Sequence, residues 1–213
     1  MSDIQCVLFD LDGTVLDTAP DLAFALNETL LEAGRPTLPF ELIRPHVSKG
    51  SPGLIRLGFG EDTDFEALRA RFLYFYEANL CRATTFFSGM EALLADLDAR
   101  KIPWGIVTNK PGWLTDPLLA ELALDARAQC VISGDTLAHA KPHPAPLLRA
   151  AELIKVAPES CLYIGDDERD VQAARSAGMQ VLVAMYGYLA GSDPNTWEPD
   201  GFIHSPGETL AFL

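Results

Sequence analysis

The run Val7-Leu8-Phe9-Asp10-Leu11-Asp12-Gly13-Thr14-Val15 ends an apolar stretch on two carboxylates spaced i, i+2, followed by a glycine and a threonine. In an open α/β sheet, ligands bind beyond the carboxyl ends of the strands, which is where Asp10 and Asp12 fall. Paired acids repel one another until a cation sits between them, and Mg²⁺ takes a few hard oxygens together with water and substrate phosphate. Gly13 lets the backbone turn where a side chain would obstruct it, and Thr14 offers a hydroxyl and an amide to a phosphate oxygen. The chemistry that such a run serves is metal-assisted phosphoryl transfer. An isolated Asp-x-Asp is more often a surface turn; here three further segments supply its partners.

Val107-Thr108-Asn109-Lys110 follows a second apolar run and brings a hydroxyl and an amide to the same rim. Lys141 lies in Ala140-Lys141-Pro142-His143-Pro144. The two prolines stiffen that loop and hold one positive charge where it meets both a phosphate and a carboxylate. The Lys141–Pro142 bond is expected to be cis, as X-Pro bonds in tight functional turns sometimes are. Ile164-Gly165-Asp166-Asp167-Glu168-Arg169-Asp170 places acids at the end of another apolar run, just before a helix. A helix N-terminus favours acids without any metal, but two acidic loops on two strands of one sheet strengthen the metal reading.

The elements that must position these residues are short apolar runs alternating with helical patterns, the signature of a parallel sheet covered on both faces. Strands are expected over 6–9, 104–108, 130–132, 161–164 and 181–184, and helices over 89–100, 114–122, 144–154 and 171–177, the last closed by Gly178. The first two strands are separated by about 90 residues, far more than a crossover needs. The intervening pattern is largely helical, over 20–33, 41–47 and 65–80. The fold class is therefore α/β, with an all-helical domain inserted after the first strand: residues 1–15 and 86–213 form the core and 16–85 a cap that closes over the site. Phe72, Tyr74, Phe75 and Tyr76 crowd one of its helices and read as core packing rather than chemistry. Arg44, His46, Lys49 and Arg56 cluster around a glycine-bearing loop over 47–53; Arg44 and Lys49 are the cap's candidate substrate ligands.

The chain has 213 residues, 48% of them hydrophobic, and carries 30 acids against 16 Lys and Arg, a net charge of −14. Such a balance argues against nucleic acid as a partner. The four cysteines form no C-x-x-C pair and read as reduced thiols, and no apolar stretch approaches the ~20 residues of a membrane span. With no room for a signal sequence before the first strand, a cytoplasmic protein acting on a small phosphate ester is expected.

In order and spacing over nearly the whole chain, the four segments resemble the haloacid dehalogenase superfamily, whose signature is Asp-x-Asp-Gly-Thr, then Thr or Ser, then Lys, then Gly-Asp-x-x-x-Asp. The resemblance implies a Rossmann-like core with a helical cap. It also implies Asp10 as the nucleophile that takes up the phosphoryl group, and Asp12 as the acid that protonates the leaving oxygen and then deprotonates water. Mg²⁺ would be held by the Asp10 carboxylate, the Asp12 backbone carbonyl and Asp166, with Asp170 or Asp167 further out. Thr108 and Asn109 would orient the transferring oxygens, and Lys141 would offset the charge. Leu16-Asp17-Thr18-Ala19-Pro20-Asp21, Thr108-Asn109-Lys110 and Tyr186-Gly187-Tyr188 look most like the phosphoglycolate phosphatase-like members. Among these they are most similar to the branch acting on N-acetylmuramic acid 6-phosphate, so the expected substrate carries a carboxylate beyond its phosphate. A sugar phosphomutase of the same fold is the alternative. A dehalogenase has no use for Asp12, and a receiver-type signalling domain has neither the cap nor a role for Asp12-Gly13-Thr14.

Overall fold

Val7, Leu8 and Phe9 are fully buried, and their strand β1 (Cys6–Phe9) runs through the middle of a six-stranded sheet. The computed structural model describes residues 4–61, 64–189 and 191–213. Side chains alternate across β1. Val7 and Phe9 join Trp104 and Ile106 against Leu93, Leu94 and Leu97 of a helix over Met90–Arg100. Cys6 and Leu8 face the other way, onto the helices Ala145–Ile154 and Glu168–Ala177. A strand buried on both faces has no polar side, which is why each reads as a continuous apolar run.

The flanking strands are Trp104–Val107 and Cys161–Gly165, both parallel to β1. Phe9 lies level with Ile106 on one side and Ile164 on the other, so Asp10, Thr108 and Asp166 emerge together at one end of the sheet. Val131–Ile132 extends it on one edge, and Gln180–Ala184 and then Gly201–Ile203 on the other, all in parallel. The protein is an α/β fold, and none of its described helices is long and apolar enough to cross a membrane.

Between the first two core strands the chain enters and leaves a helical insertion through a two-stranded antiparallel ribbon, β2 (Leu16–Asp17) and β3 (Thr85–Phe86). Four helices follow β2: α1 (Ala19–Glu32), α2 (Phe40–Ile43), α3 (Gly50–Phe59) and α4 (Phe65–Ala78). They enclose a separate apolar core that includes Leu26, Leu30, Ile43, Leu54 and Phe72, into which Leu114 and Tyr188 of the sheet domain also pack. Buried Asp21 ties entry to exit by accepting Ala83 N, Thr84 N and Thr84 Oγ1 at 2.9, 3.0 and 2.7 Å.

Two expectations for the insertion need correction. The helix expected over 41–47 stops at Ile43 and continues as a 3-10 segment over Arg44–Lys49, because Pro45 has no N–H to give to the α-helical ladder. The glycine-bearing stretch expected as a loop is the start of α3. Gly50, Pro52 and Gly53 argue against helix by propensity, yet Pro52 lies in the first turn, where its missing N–H costs nothing. Gly53 is required by packing, since a Cβ there would stand 2.3 Å from Lys49 Cβ.

Candidate active site

Asp10 leaves β1 with its amide bonded to Ile164 O at 2.8 Å and its carboxylate 2.9 Å from Lys141 Nζ. Lys141 is buried and has four partners: Asp10, Asp170 Oδ1 at 2.7 Å, Tyr163 OH at 2.8 Å and Val107 O at 2.9 Å. Burial works against its ammonium, but Asp10 and Asp170 more than offset that and hold its pKa above the ordinary lysine value. The loop is fixed from the next strand. Asn109 Nδ2 donates to Lys141 O at 2.8 Å and Asn109 Oδ1 accepts Lys141 N at 2.9 Å. The Asn109 amide is thus engaged in positioning Lys141 rather than free to orient a phosphoryl oxygen. The Lys141–Pro142 bond is cis.

Carboxylate oxygens of Asp10, Asp166 and Asp170 lie within 4.8 Å of one another. Burial, relieved in part by Lys141, pushes Asp10 up to about 7, and burial with the charges of Asp10 and Asp170 drives Asp166 well above the carboxylate range. Asp166 is pinned by its neighbours' lack of side chains. A Cβ on Gly13 would fall 2.1 Å from Asp166 Oδ2, and one on Gly187 2.4 Å from Asp166 Cβ. Tyr188 N and Ser48 Oγ donate to Oδ2 at 2.8 and 2.9 Å, while Oδ1 is buried with no partner. An orphaned carboxylate oxygen among three crowded acids is a donor set that suits a small hard cation. Asp170 spends Oδ1 on Lys141 and Oδ2 on Asp167 N. Asp167 caps its helix and pairs with Arg169 at 2.7 Å, outside the acid trio.

Asp12 also stands outside the trio. Its carboxylate accepts Thr18 Oγ1 at 2.5 Å and Lys110 Nζ at 3.1 Å, and Lys110 donates in turn to Tyr76 OH of α4 at 2.7 Å. A cavity of about 310 Å³ opens between α4 and the sheet end, lined by Asp10, Asp12, Thr108, Asn109, Lys110 and Lys141 below and by Ser48, Lys49, Arg69 and Tyr76 above.

Of the expected substrate ligands, only Lys49 lines this cavity. Thr14 is fully buried and does not line it, and Gly13 serves the close approach to Asp166. Arg44 is held by Asp17, its Nη1 donating to both carboxylate oxygens at 2.7 and 2.8 Å, with its guanidinium over the Tyr188 ring. Lys110, Tyr76, Ser48 and Arg69 are the residues that sequence reasoning overlooks. Lys110 adjoins the Thr-Asn pair already singled out, and Arg69 and Tyr76 share one helix face at spacing i, i+7.

Residues 7–184 match the haloacid dehalogenase-like hydrolase family. A phosphoglycolate phosphatase of Xanthomonas campestris pv. campestris is 45% identical over 205 residues, 95% of this chain and 93% of that one. An N-acetylmuramic acid 6-phosphate phosphatase of Pseudomonas putida is 38% identical over 209 residues, 96% and 94% of the two chains. The crystal structure of a predicted phosphoglycolate phosphatase from Haemophilus somnus is 27% identical with a TM-score of 0.89, covering 100% of this chain and 99% of that one. With Asp10, Lys141 and Asp166 converging at the sheet end and the match running through all of them, the chain belongs to the haloacid dehalogenase-like hydrolases.

Proposed function

We propose that this phosphatase is a Mg²⁺-dependent phosphomonoesterase that works through an aspartyl-phosphate on Asp10, with residues 16–85 as a cap over the core formed by 1–15 and 86–213. The observation that carries the reading is the contact of Lys141 with both Asp10 and Asp170, beside an Asp166 oxygen that has no partner. The Asp10 carboxylate attacks phosphorus as the ester oxygen departs, and Asp12 gives that oxygen a proton. Asp12 then takes a proton from the water that releases phosphate and restores Asp10. Lys141 offsets the repulsion between an anionic nucleophile and a phosphate dianion, and Thr108 lines the cavity where its hydroxyl meets a transferring oxygen. Mg²⁺ held by Asp10, Asp166 and the Asp12 backbone carbonyl, with Asp170 behind, would supply the remaining positive charge.

The substrate we propose is a small carboxylate-bearing phosphate, phosphoglycolate or N-acetylmuramic acid 6-phosphate, as the names of the relatives suggest. Free, mostly buried cysteines suit action in the cytoplasm. A hydrolysis panel of both compounds, sugar phosphates and pyrophosphate, with Mg²⁺ and with excess chelator, tests the reading. Mass spectrometry of acid-quenched enzyme should find a phosphoryl group on Asp10. Full activity in chelator, or a phosphoryl group on another residue, would overturn it.

A further inference from the structure

Arg69, Phe72, Leu73 and Tyr76 fall at i, i+3, i+4 and i+7 on α4, and all four line the cavity, so a single helix face spans it. Tyr76 marks the reacting end, because its hydroxyl accepts Lys110 Nζ and the same ammonium lies 3.1 Å from Asp12 Oδ1. Arg69 sits seven residues earlier, about 10 Å along the axis at ~1.5 Å per residue. Phe72 and Leu73 form an apolar wall between these two ends.

At the far end the Arg69 guanidinium meets the Ser51 hydroxyl at 3.3 Å, and Lys49 also lines the cavity. Arg44, Arg56, Arg71 and Arg169 each hold an acid. Among the described residues, neither Arg69 nor Lys49 does, in a chain with almost twice as many acids as cations. Two cations that hold no acid among the described residues and that line one cavity are a site for an anion, and Phe72 and Leu73 set Arg69 apart from the reacting end.

We propose that Arg69, with Lys49, takes a second anionic group of the substrate, and that the leaving group is accordingly a sugar-sized acid rather than a two-carbon acid. The proposal rests on the phosphomonoesterase reading and adds the identity of the leaving group. In a two-carbon phospho-acid the carboxyl carbon is three bonds of about 1.5 Å from phosphorus, short against the ~10 Å that separates Tyr76 from Arg69 along α4. A phosphate on the primary carbon of a pyranose, with a carboxylate carried by an ether across the ring, spans roughly twice that distance. The ring would lie along Phe72 and Leu73. A cavity of about 310 Å³ is also of the size that encloses a ligand of many more atoms than a two-carbon acid has.

Steady-state kinetics of the intact enzyme with Mg²⁺ tests this on four probes: N-acetylmuramic acid 6-phosphate, N-acetylglucosamine 6-phosphate, phosphoglycolate and p-nitrophenyl phosphate. The first two share ring and phosphate and differ in the ether-linked carboxylate. The wild type should favour the first over the second by about tenfold or more in kcat/KM. Arg69→Ala should erase most of that preference, chiefly through KM, and Arg69→Lys should restore part of it. Equal losses on all four probes, or phosphoglycolate as the best substrate, would overturn the proposal. Hydrolysis of p-nitrophenyl phosphate without discrimination between the two ring compounds would overturn it alone, whereas failure to hydrolyse any of the four would bring down the phosphomonoesterase reading as well.

Discussion

Ser48 Oγ donates to Asp166 Oδ2 at 2.9 Å, so a side chain of the helical insertion touches the core acid whose other oxygen is free for a metal. Arg169 reinforces the junction by donating to Ser48 O while its Nε holds Asp167. Seating the insertion and orienting the proposed metal ligand Asp166 are therefore coupled, and coupling of this kind is reciprocal. Ser48→Ala should raise the Mg²⁺ needed for half-activation by about tenfold, the effect typical of removing a group that orients a metal ligand. The Mg²⁺-dependent rise in melting temperature should shrink in step. Unchanged Mg²⁺ dependence in both measurements would reduce the contact to packing.

Asp10→Asn should fold and lose turnover by a factor of ~10⁴ or more, because the amide keeps the shape of the carboxylate without its nucleophilicity. Circular dichroism and a hydrolysis assay separate the two effects. Near-normal turnover would remove Asp10 from the nucleophile's role.

If Mg²⁺ is held as proposed, protons and the ion compete for the same acids. In the metal-free protein, burial raises Asp10 from the ordinary 3.8 to about 7 and moves Asp166 in the same direction. A folded-state value above the unfolded one means that the protonated form is favoured by folding. The stability that Asp10 contributes is thus complete below about pH 4 and is lost as pH rises through about 7, and Asp166 acts with the same sign. Chelator-treated protein should show a melting temperature that this contribution lowers between pH 5 and 7.5, and Mg²⁺ should recover most of the loss at the upper end. The acidic limb of the kcat/KM profile should likewise move to lower pH as Mg²⁺ is increased. A limb that ignores Mg²⁺ would mean the ion is not bound at these carboxylates.

Asp10, Asp12, Lys141 and Asp166 can be read from sequence because each directly follows a buried strand or sits in a proline-stiffened loop, and local pattern reports both. Partners brought together across long separations leave no such trace. Nothing near Arg44 announces that Asp17 will hold it, and nothing near Lys110 announces Tyr76, which reads as one aromatic among several on a packed helix. The missing helix α3 has the opposite cause, since its glycines and proline speak against the element that packing against Leu26 and Leu30 enforces at Gly58.

Arg44 provides the contrast to Arg69. Its guanidinium grips both Asp17 oxygens, and Asp17 Oδ1 also accepts Tyr188 OH at 3.0 Å, while that hydroxyl accepts Ala19 N at 3.0 Å. Insertion, ribbon and core meet in this one network, away from the cavity. Arg44→Ala should therefore act on stability. A partly exposed ion pair contributes about 1 kcal/mol, which in a chain of this length moves the melting temperature by roughly 2–4 °C. The ratio of kcat/KM between N-acetylmuramic acid 6-phosphate and N-acetylglucosamine 6-phosphate should stay as in the wild type, whereas Arg69→Ala changes it. A selective loss of the acidic substrate in Arg44→Ala would mean that the guanidinium leaves Asp17 when substrate binds, and would return Arg44 to the recognition of the leaving group.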